Sequence, residues 1–127
     1  MKTVYYAHCM SLYDTHQETR DLTLLAQLGF KVVNPNTQEI TLAVRGYADA
    51  GMGKRRAMEE VFRPLVETTD VFAFRALPDG AISSGVFREW EWAVEAGKPI
   101  IELPSSVERR ALSLELTREY LREVGQR

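Results

Sequence analysis

Short apolar runs alternate along the chain with longer segments in which apolar residues recur at helical spacing. β-branched and aromatic residues dominate the short runs, which favours strands, and their continuous apolar character is typical of strands covered on both faces. The alternation therefore predicts a parallel sheet whose strands are joined by right-handed helical crossovers. The predicted strands are Thr3–Ala7, Phe30–Val33, Val71–Phe74 and Pro99–Leu103.

Helical periodicity predicts helices over residues 14–28, 54–69 and 85–96, and a last helix from a Ser105 or Ser106 cap to about Val124. Pro64 lies inside the second helix and should kink it or mark a late start. The stretch Asn36–Gly53 contains three glycines and no clear period, so it is predicted as a long mobile loop with at most one short helical turn. The expected inward residues are Leu22, Leu25, Ala26 and Leu28; Met58, Val61, Phe62, Leu65 and Val66; Phe87, Trp90, Ala93 and Val94; and Ala111, Leu114, Leu121 and Val124.

The 127 residues have the length of one domain, and we predict a single domain over residues 1–127. The predicted fold class is α/β: a flavodoxin-like or Rossmann-like three-layer sandwich around a parallel sheet of four to five strands, with strand order 2-1-3-4. The strand order reverses direction between strands one and three, which makes this position the topological switch point of the sheet. Ligands bind outside the carboxyl ends of the strands at such a point, so we expect the loops after these two strands to form the site.

Composition narrows the class of ligand. A net charge of -2 and a pI near 5.7 argue against binding of nucleic acid through bulk electrostatics, although a small anionic ligand stays possible. Cys9 is the single cysteine, no run approaches the length of a membrane span, and Met1 leads directly into a strand pattern without a signal region. We therefore expect a cytoplasmic protein with no membrane partner, and we expect neither a metal nor a cofactor.

The two site loops carry the candidate residues for chemistry. Ser83, Ser84 and Gly85 lie at a predicted helix N-terminus, where free amides and hydroxyls favour phosphate, although one serine can equally be a plain N-cap. Glu89 lies about one turn further on. A carboxylate there can attack a sugar C1′ or stabilise an oxocarbenium ion, and the alternative is a solvated glutamate on the helix surface. The other predicted ligand-binding residues are His8, Met10, Ser11 and Asp79.

Several segments in the right order carry a family resemblance. They are Val4–Ala7 with Met10–Ser11, Val33–Pro35, Thr69–Val71, Ser83–Glu89 and Ala96–Ile100. With them the chain resembles the nucleoside 2-deoxyribosyltransferase-like superfamily, which includes nucleoside deoxyribosyltransferases, 2′-deoxynucleoside 5′-phosphate N-hydrolases and small phage and bacterial relatives of unassigned function. The resemblance extends over nearly the whole chain.

The resemblance implies specific roles. Glu89, four residues after Gly85 and eight before Gly97, matches the nucleophile that receives the sugar, and Tyr5 matches the tyrosine beside it. Ser83, six residues before the glutamate, matches the phosphate-binding serine of nucleotide hydrolases, and a serine at a helix N-terminus accepts phosphate where an aspartate would repel it. Relatives complete their sites across subunits, which implies a homodimer or higher homo-oligomer.

The chain also departs from the family pattern. Phe62 stands where family enzymes carry an aspartate, and Glu59 and Glu60 lie nearby at a different helical angle. His8 and Cys9 replace small residues in the first loop. His8 is either a substitute acid or base or a structural residue, and Cys9 is expected to be a packing residue without an activating partner.

Three functions remain open on this evidence. The first is hydrolysis or transfer at the N-glycosidic bond of a nucleoside or nucleotide. The second, motivated by Phe62, is a non-catalytic module that binds or senses a nucleotide, and the third is an assembly scaffold with an apolar interface. Gly51–Lys54 suggests a P-loop but lacks its spacing, and Trp90 and Trp92 should point to different faces of their helix, one to the core and one to an interface. A lid role for Asn36–Gly53 is a further hypothesis.

Overall fold

The computed structural model describes residues 1–105 and Glu115. Its strands form one four-stranded sheet in the spatial order β2-β1-β3-β4, and every neighbouring pair is parallel. Both the predicted α/β fold class and the predicted strand order are confirmed. The strands are β1 Thr3–Ala7, β2 Lys31–Val33, β3 Val71–Phe74 and β4 Ile100–Glu102.

The helices follow the strands in the order expected for a parallel sheet. They are α1 His16–Gln27, α2 Gln38–Asp49, α3 Gly53–Ala57, α4 Arg63–Thr68 and α5 Ser84–Glu95, with a short 3₁₀ turn at Met10–Leu12. The predicted last helix lies outside the described residues except for Glu115.

Both faces of the two central strands are covered, which explains why β1 and β3 are apolar apart from Thr3, whereas the edge strands carry the exposed Lys31 and Glu102. Alternate residues of β1 and β3 point to opposite faces, as the two-residue period of a strand requires. On one face the core consists of Tyr5, Ala7, Phe72 and Phe74 packed against Val66, Val86, Trp92 and Ala93. On the other face it consists of Val4, Tyr6, Val71 and Ala73 packed against Leu25 and Leu103.

The long loop predicted over Asn36–Gly53 is wrong, because Gln38–Asp49 forms the three-turn helix α2. The side chain of Thr37 caps this helix by accepting a hydrogen bond from the amide of Ile40. Only Gly46 of the three glycines lies inside the helix, where a glycine costs about 1 kcal/mol and is tolerated. The other two follow its end, so counting all three together overstated the case for a loop.

The predicted inward faces of two helices also need correction. Ala26 and Leu28 of the first helix are exposed, and Phe87 and Val94 of α5 are each 48% exposed. The buried residues are instead Glu18, Asp21 and Leu25 in α1, and Val86, Glu89, Trp92 and Ala93 in α5. A carboxylate lies on the buried face of each helix, and periodicity arguments assign such residues outward. Trp92 belongs to the core, whereas Trp90 is half-buried.

The helical stretch over residues 53–68 is interrupted where the sequence suggested a kink. A π-helical turn at Met58–Phe62 joins α3 to α4, and Pro64 lies in the first turn of α4, where its missing N–H is tolerated. Single π turns of this kind are frequent at functional sites. This one brings Met58 and Phe62 to the cavity described below.

A buried ion pair joins elements that are far apart in sequence. Asp21 of α1 accepts hydrogen bonds from Arg75 Nε at 2.9 Å and Nη2 at 2.6 Å and from the Tyr6 hydroxyl at 2.6 Å. Arg75 Nη1 also donates to the carbonyl of Pro104. Burial alone would raise the pKa of Asp21. The hydrogen bonds from Arg75 and Tyr6 together have the larger effect, so the pKa is lowered. The pair thus connects α1, β1, the end of β3 and the segment after β4.

Within the described part of the chain, no helix is both long and apolar enough to cross a membrane.

Candidate active site

A cavity of about 380 Å³ opens at the carboxyl ends of β1 and β3, within the size range of small-molecule sites. This is the edge of the sheet at which the strand order predicts a ligand. Its walls come from the loop after β1, α2, the π-helical turn and the N-terminus of α5. The polar lining residues are His8, Cys9, Tyr13, Thr41, Lys54, Ser83, Ser84 and Glu89.

Glu89 lies on the second turn of α5, lines the cavity and is only 6% exposed. The hydroxyl of Tyr5, which is fully buried behind it, donates a hydrogen bond to Glu89 Oε2. Burial raises the pKa of Glu89 to about 7, against the smaller lowering effect of the Tyr5 bond. Burial and the neighbouring Glu89 in turn raise the pKa of Tyr5 well above its ordinary value, so Tyr5 stays a neutral donor. The geometry excludes a solvated surface position for Glu89.

This burial predicts a pH-dependent stability difference. Between the ordinary pKa of 4.5 and about 7, the folded state retains a proton on Glu89 that the unfolded state has lost, so stability falls as pH rises through this window. At pH 8 the charged carboxylate therefore costs about 3 kcal/mol, and a Glu89→Gln variant should unfold several degrees higher than the wild type.

Thermal unfolding at pH 8 and pH 4.5 measures this difference, which should nearly vanish at the lower pH. Glu91→Gln, on the same helix but half-exposed, is the matched control and should show no such gain. Equal unfolding temperatures of wild type and Glu89→Gln at pH 8 would mean that Glu89 is solvated.

Ser83 performs the N-cap role that the sequence left open, since its hydroxyl accepts from the Val86 amide at 3.4 Å. Ser84 and Gly85 follow in the first turn of α5, and all three residues line the cavity. The amides of a first helical turn have no acceptor within the helix and carry the positive end of the helix dipole. This end of the cavity therefore suits an anion.

His8 is held by the protein at both ring nitrogens. Its Nδ1 lies 3.1 Å from the carbonyl oxygen of Tyr6, and its Nε2 lies 2.7 Å from Oε2 of Glu18. Burial raises the pKa of Glu18, but hydrogen bonds from His8 and Asn36 outweigh it and lower the pKa. Because both ring nitrogens are engaged, the geometry favours a structural role for His8 over that of a substitute acid or base.

Cys9 has neighbours that the sequence did not predict. Burial raises the pKa of its thiol, but hydrogen bonds with Ser11 and Ser83 outweigh it and lower the pKa. The neighbours of Cys9 are therefore hydroxyl groups, and the expectation that it is a packing residue without an activating partner stays a prediction. Ser83 belongs to the loop after β3, and a contact across two loops leaves no signature in local sequence.

The structure brings together most of the predicted site residues. His8, Met10, Ser83–Gly85 and Glu89 line the cavity, and Tyr5 lies behind Glu89. Ser11 does not line it and contacts Cys9 instead. Asp79 does not reach the cavity either, because its carboxylate accepts the Ala81 amide at 2.9 Å within the turn before α5.

Sequence reasoning missed three parts of the site. Ile40, Thr41 and Val44 line the cavity from α2, which was predicted as a loop. Lys54 also lines the cavity. Its segment, Gly51–Lys54, lacks the spacing of a P-loop, so nothing in the sequence marked Lys54 as a site residue. Tyr13 lines it just after the 3₁₀ turn, and only its proximity to the first site loop could have marked it.

Part of the cavity wall is apolar. Phe62 is part of this wall, so the position that matches the family aspartate does border the cavity and supplies no acid there. Glu59 pairs with Arg63 at 3.0 Å and with Arg88 at 3.4 Å. It is therefore engaged elsewhere. The apolar lining residues near Phe62 are Pro35, Ile40, Val44, Ala57 and Met58.

Among residues 1–105 and Glu115, no group of three or more His, Cys, Asp or Glu side chains is arranged to hold a metal ion.

No protein-family model matches the chain, and no curated protein matches it. Among solved structures, the chain is similar to the CMP N-glycosidase BcmB of Clostridium botulinum, with a TM-score of 0.50 and 20% sequence identity. The similarity covers 99% of this chain and 100% of BcmB. At this level of identity it shows a shared α/β fold. Function must be argued from the site, because one fold supports many activities.

Proposed function

We propose that this chain is a single nucleoside deoxyribosyltransferase-like domain that cleaves the N-glycosidic bond of a nucleoside 5′-monophosphate, with Glu89 as the nucleophile. One observation carries the proposal: Glu89 is buried at the cavity with a carboxylate held by Tyr5 and a pKa near neutrality. Strongly shifted carboxylates in a cavity are typical of catalytic groups. The CMP N-glycosidase with the same fold supports this class of substrate.

The proposed reaction has two displacements at C1′. In the first, ionised Glu89 forms a bond to C1′ as the bond from C1′ to the base breaks, and the electron pair leaves with the base, which takes a proton from solvent. In the second, a water molecule or an incoming base forms a bond to C1′ as the bond from C1′ to Glu89 breaks, Glu89 leaves as the carboxylate, and the attacking group loses a proton to solvent. Tyr5, as a neutral donor to Oε2, holds the carboxylate in one orientation throughout.

The anion end of the cavity supports a phosphorylated substrate. The Ser84 hydroxyl and the first-turn amides of α5 provide donors, and the exposed Lys54 lines the same cavity. Lys54 has no ion-pair partner among the described residues, so its charge is available to a ligand. The apolar wall around Phe62 provides a surface on which a base can stack.

A second candidate function is a non-catalytic nucleotide sensor. It is favoured by Phe62, which lies at the cavity and provides no proton donor for a leaving base. Cytoplasmic location, homo-oligomer formation and a lid role for the segment around α2 remain predictions.

Release of free base is the measurement that decides between the two. The protein is incubated with ribo- and deoxyribonucleosides and their 5′-monophosphates, beside Glu89→Gln and Glu91→Gln, and free base is followed by chromatography. Release that depends on Glu89 and not on Glu91 supports the glycosidase. Nucleotide binding without release from any substrate supports the sensor.

A substitution at the helix cap tests the phosphate end. Aspartate is as good an N-cap as serine, so Ser83→Asp should keep α5 intact while it places a negative charge beside the proposed phosphate. We expect kcat/KM for 5′-monophosphates to fall at least about tenfold, with little change for nucleosides. Ser83→Asn, a neutral cap of the same shape, should lose much less. If kcat/KM fell equally for nucleosides and monophosphates, the phosphate would not bind at this end of the cavity.

A further inference from the structure

Tyr13 is a cavity residue that the proposed reaction does not yet use. It follows the 3₁₀ turn after β1, is half-buried and lines the cavity together with Glu89. Its hydroxyl has no hydrogen-bond partner among residues 1–105 and Glu115. A protein hydroxyl without a partner, at a cavity that also holds a buried carboxylate, is available to a ligand.

The ring of Tyr13 rests on a rigid support. It lies 4.8 Å from the ring of His8, which is itself stacked on Tyr6 at 3.9 Å. His8 cannot turn freely, because Glu18 and the Tyr6 carbonyl hold its two nitrogens. His8 thus supports the ring of Tyr13 through a ring-to-ring contact, although neither of its nitrogens is free.

The backbone fixes Tyr13 from both sides as well. The Tyr13 amide donates to the carbonyl of Met10 at 3.1 Å, and the next residue, Asp14, has a φ of 61° and donates its amide to Glu18 Oε1 at 3.2 Å. Aspartate is among the few residues that adopt this left-handed conformation readily. Tyr13 is therefore held in place before a ligand arrives, as substrate-binding groups require.

Electrostatics places Tyr13 near the reacting end of the cavity. Burial, then the charges of Glu89 and Glu18, raise the pKa of Tyr13 well above its ordinary value, and Tyr13 in turn contributes to the raised pKa of Tyr5. Tyr13 and Glu89 also line the same cavity, which is the geometric basis for this effect. The Tyr13 hydroxyl therefore stays protonated and remains a donor beside the ionised nucleophile.

We propose that the Tyr13 hydroxyl binds a hydroxyl group of the substrate sugar and so orients C1′ towards Glu89. This inference rests on the proposed function. Around the cavity, Ser83–Gly85 supply donors for phosphate, and the wall around Phe62 is apolar and suits the base. Tyr13 and Thr41 are the neutral hydroxyls of the cavity outside Ser83–Gly85, and the charge of Glu89, beside which the sugar must lie for C1′ to be attacked, acts on Tyr13.

Tyr13→Phe tests this role because it removes the hydroxyl and keeps the ring against His8. We expect kcat/KM for base release to fall about tenfold, the usual worth of one neutral hydrogen bond, with no change in unfolding temperature. Tyr47→Phe, on α2 and away from the cavity, is the matched control and should leave kcat/KM unchanged.

Substrates that lack one sugar hydroxyl complete a double-mutant cycle. The tenfold effect of Tyr13→Phe should disappear for the 2′-deoxy or the 3′-deoxy monophosphate, whichever lacks the hydroxyl that Tyr13 contacts. An effect that is equal for all sugars, or absent for all of them, overturns the inference.

The failure of this inference is distinguishable from failure of the proposed function. Glu89-dependent release that is indifferent to Tyr13→Phe refutes the role of Tyr13 alone. If no substrate releases base, the same cycle is measured as nucleotide affinity by titration calorimetry in wild type and Tyr13→Phe. A sugar-dependent loss there keeps the Tyr13 contact while glycosidase activity is refuted, and no binding of any nucleotide refutes both.

Discussion

Replacing Glu89 with glutamine is expected to lower base release at least about a thousandfold, because the amide cannot form the bond to C1′ on which the proposed reaction depends. Glutamine has the same shape and still offers an oxygen to Tyr5, so the loss should lie in kcat and not in folding. Single-turnover measurements with a nucleoside 5′-monophosphate, beside Glu91→Gln, give the rate of the chemical step directly. Retention of more than about a tenth of the activity would remove Glu89 from the reaction.

The pH profile of the wild type provides a second view of the same group. The nucleophile must be ionised, and burial raises the pKa of Glu89 to about 7. The rate should therefore rise with pH through about 7 and level off above it, whereas an ordinary exposed glutamate would already be ionised at pH 6. A raised pKa also makes the ionised carboxylate a stronger nucleophile, so in the proposed reaction the burial of Glu89 would raise reactivity at the cost of stability.

Local sequence contains enough information for the strands and for their order. The central strands β1 and β3 are apolar runs bounded by polar residues, and alternation with helices leaves few arrangements for such runs. Glu89 was predicted because it lies about one turn into the helix after β3, at the expected site, and because its spacing from Gly85 and Gly97 resembles that of a known family. The structure adds what spacing cannot give, namely its burial and its contact with Tyr5, a residue 84 positions away.

The parts that were missed depend on contacts between distant segments. α2 has an apolar stripe comparable with that of α5, but the three glycines of the segment led to its prediction as a loop, and no residue of the helix is buried. Glu18 and Asp21 were not among the residues predicted to be buried, and each is buried because it pairs with His8 or Arg75. No rule of periodicity predicts a buried carboxylate, because its partner is supplied by the tertiary fold.

The buried carboxylates Glu89 and Asp21 differ in their surroundings. Glu89 has no ion-pair partner among residues 1–105 and Glu115, burial raises its pKa to about 7, and it lies at the cavity, an arrangement typical of reactive groups. Asp21 is held by a guanidinium and a hydroxyl on the other face of the sheet, and its pKa is lowered. An ion pair of this kind maintains structure, and the contrast leads to a prediction about stability.

Replacement of Asp21 by alanine is expected to lower the free energy of unfolding by about 3 to 5 kcal/mol, because it leaves the Arg75 guanidinium buried without a counter-charge. Urea unfolding at pH 7 followed by circular dichroism measures the loss. The exposed pair Arg56–Glu60 is the matched control, and Glu60→Ala should cost less than about 1 kcal/mol.

The double variant Asp21→Leu/Arg75→Met separates the worth of the pair from the cost of one unpaired charge. Because removal of both charges leaves no buried ion, it should recover most of the stability that Asp21→Ala loses. The folded-state pKa of Asp21 is lowered, so the stabilisation is present above the ordinary pKa of 3.8 and is lost as pH falls through the lowered value. We therefore expect the difference in stability between wild type and Asp21→Ala to narrow in acid. If Asp21→Ala were as stable as the wild type at pH 7, the pair would be open to water.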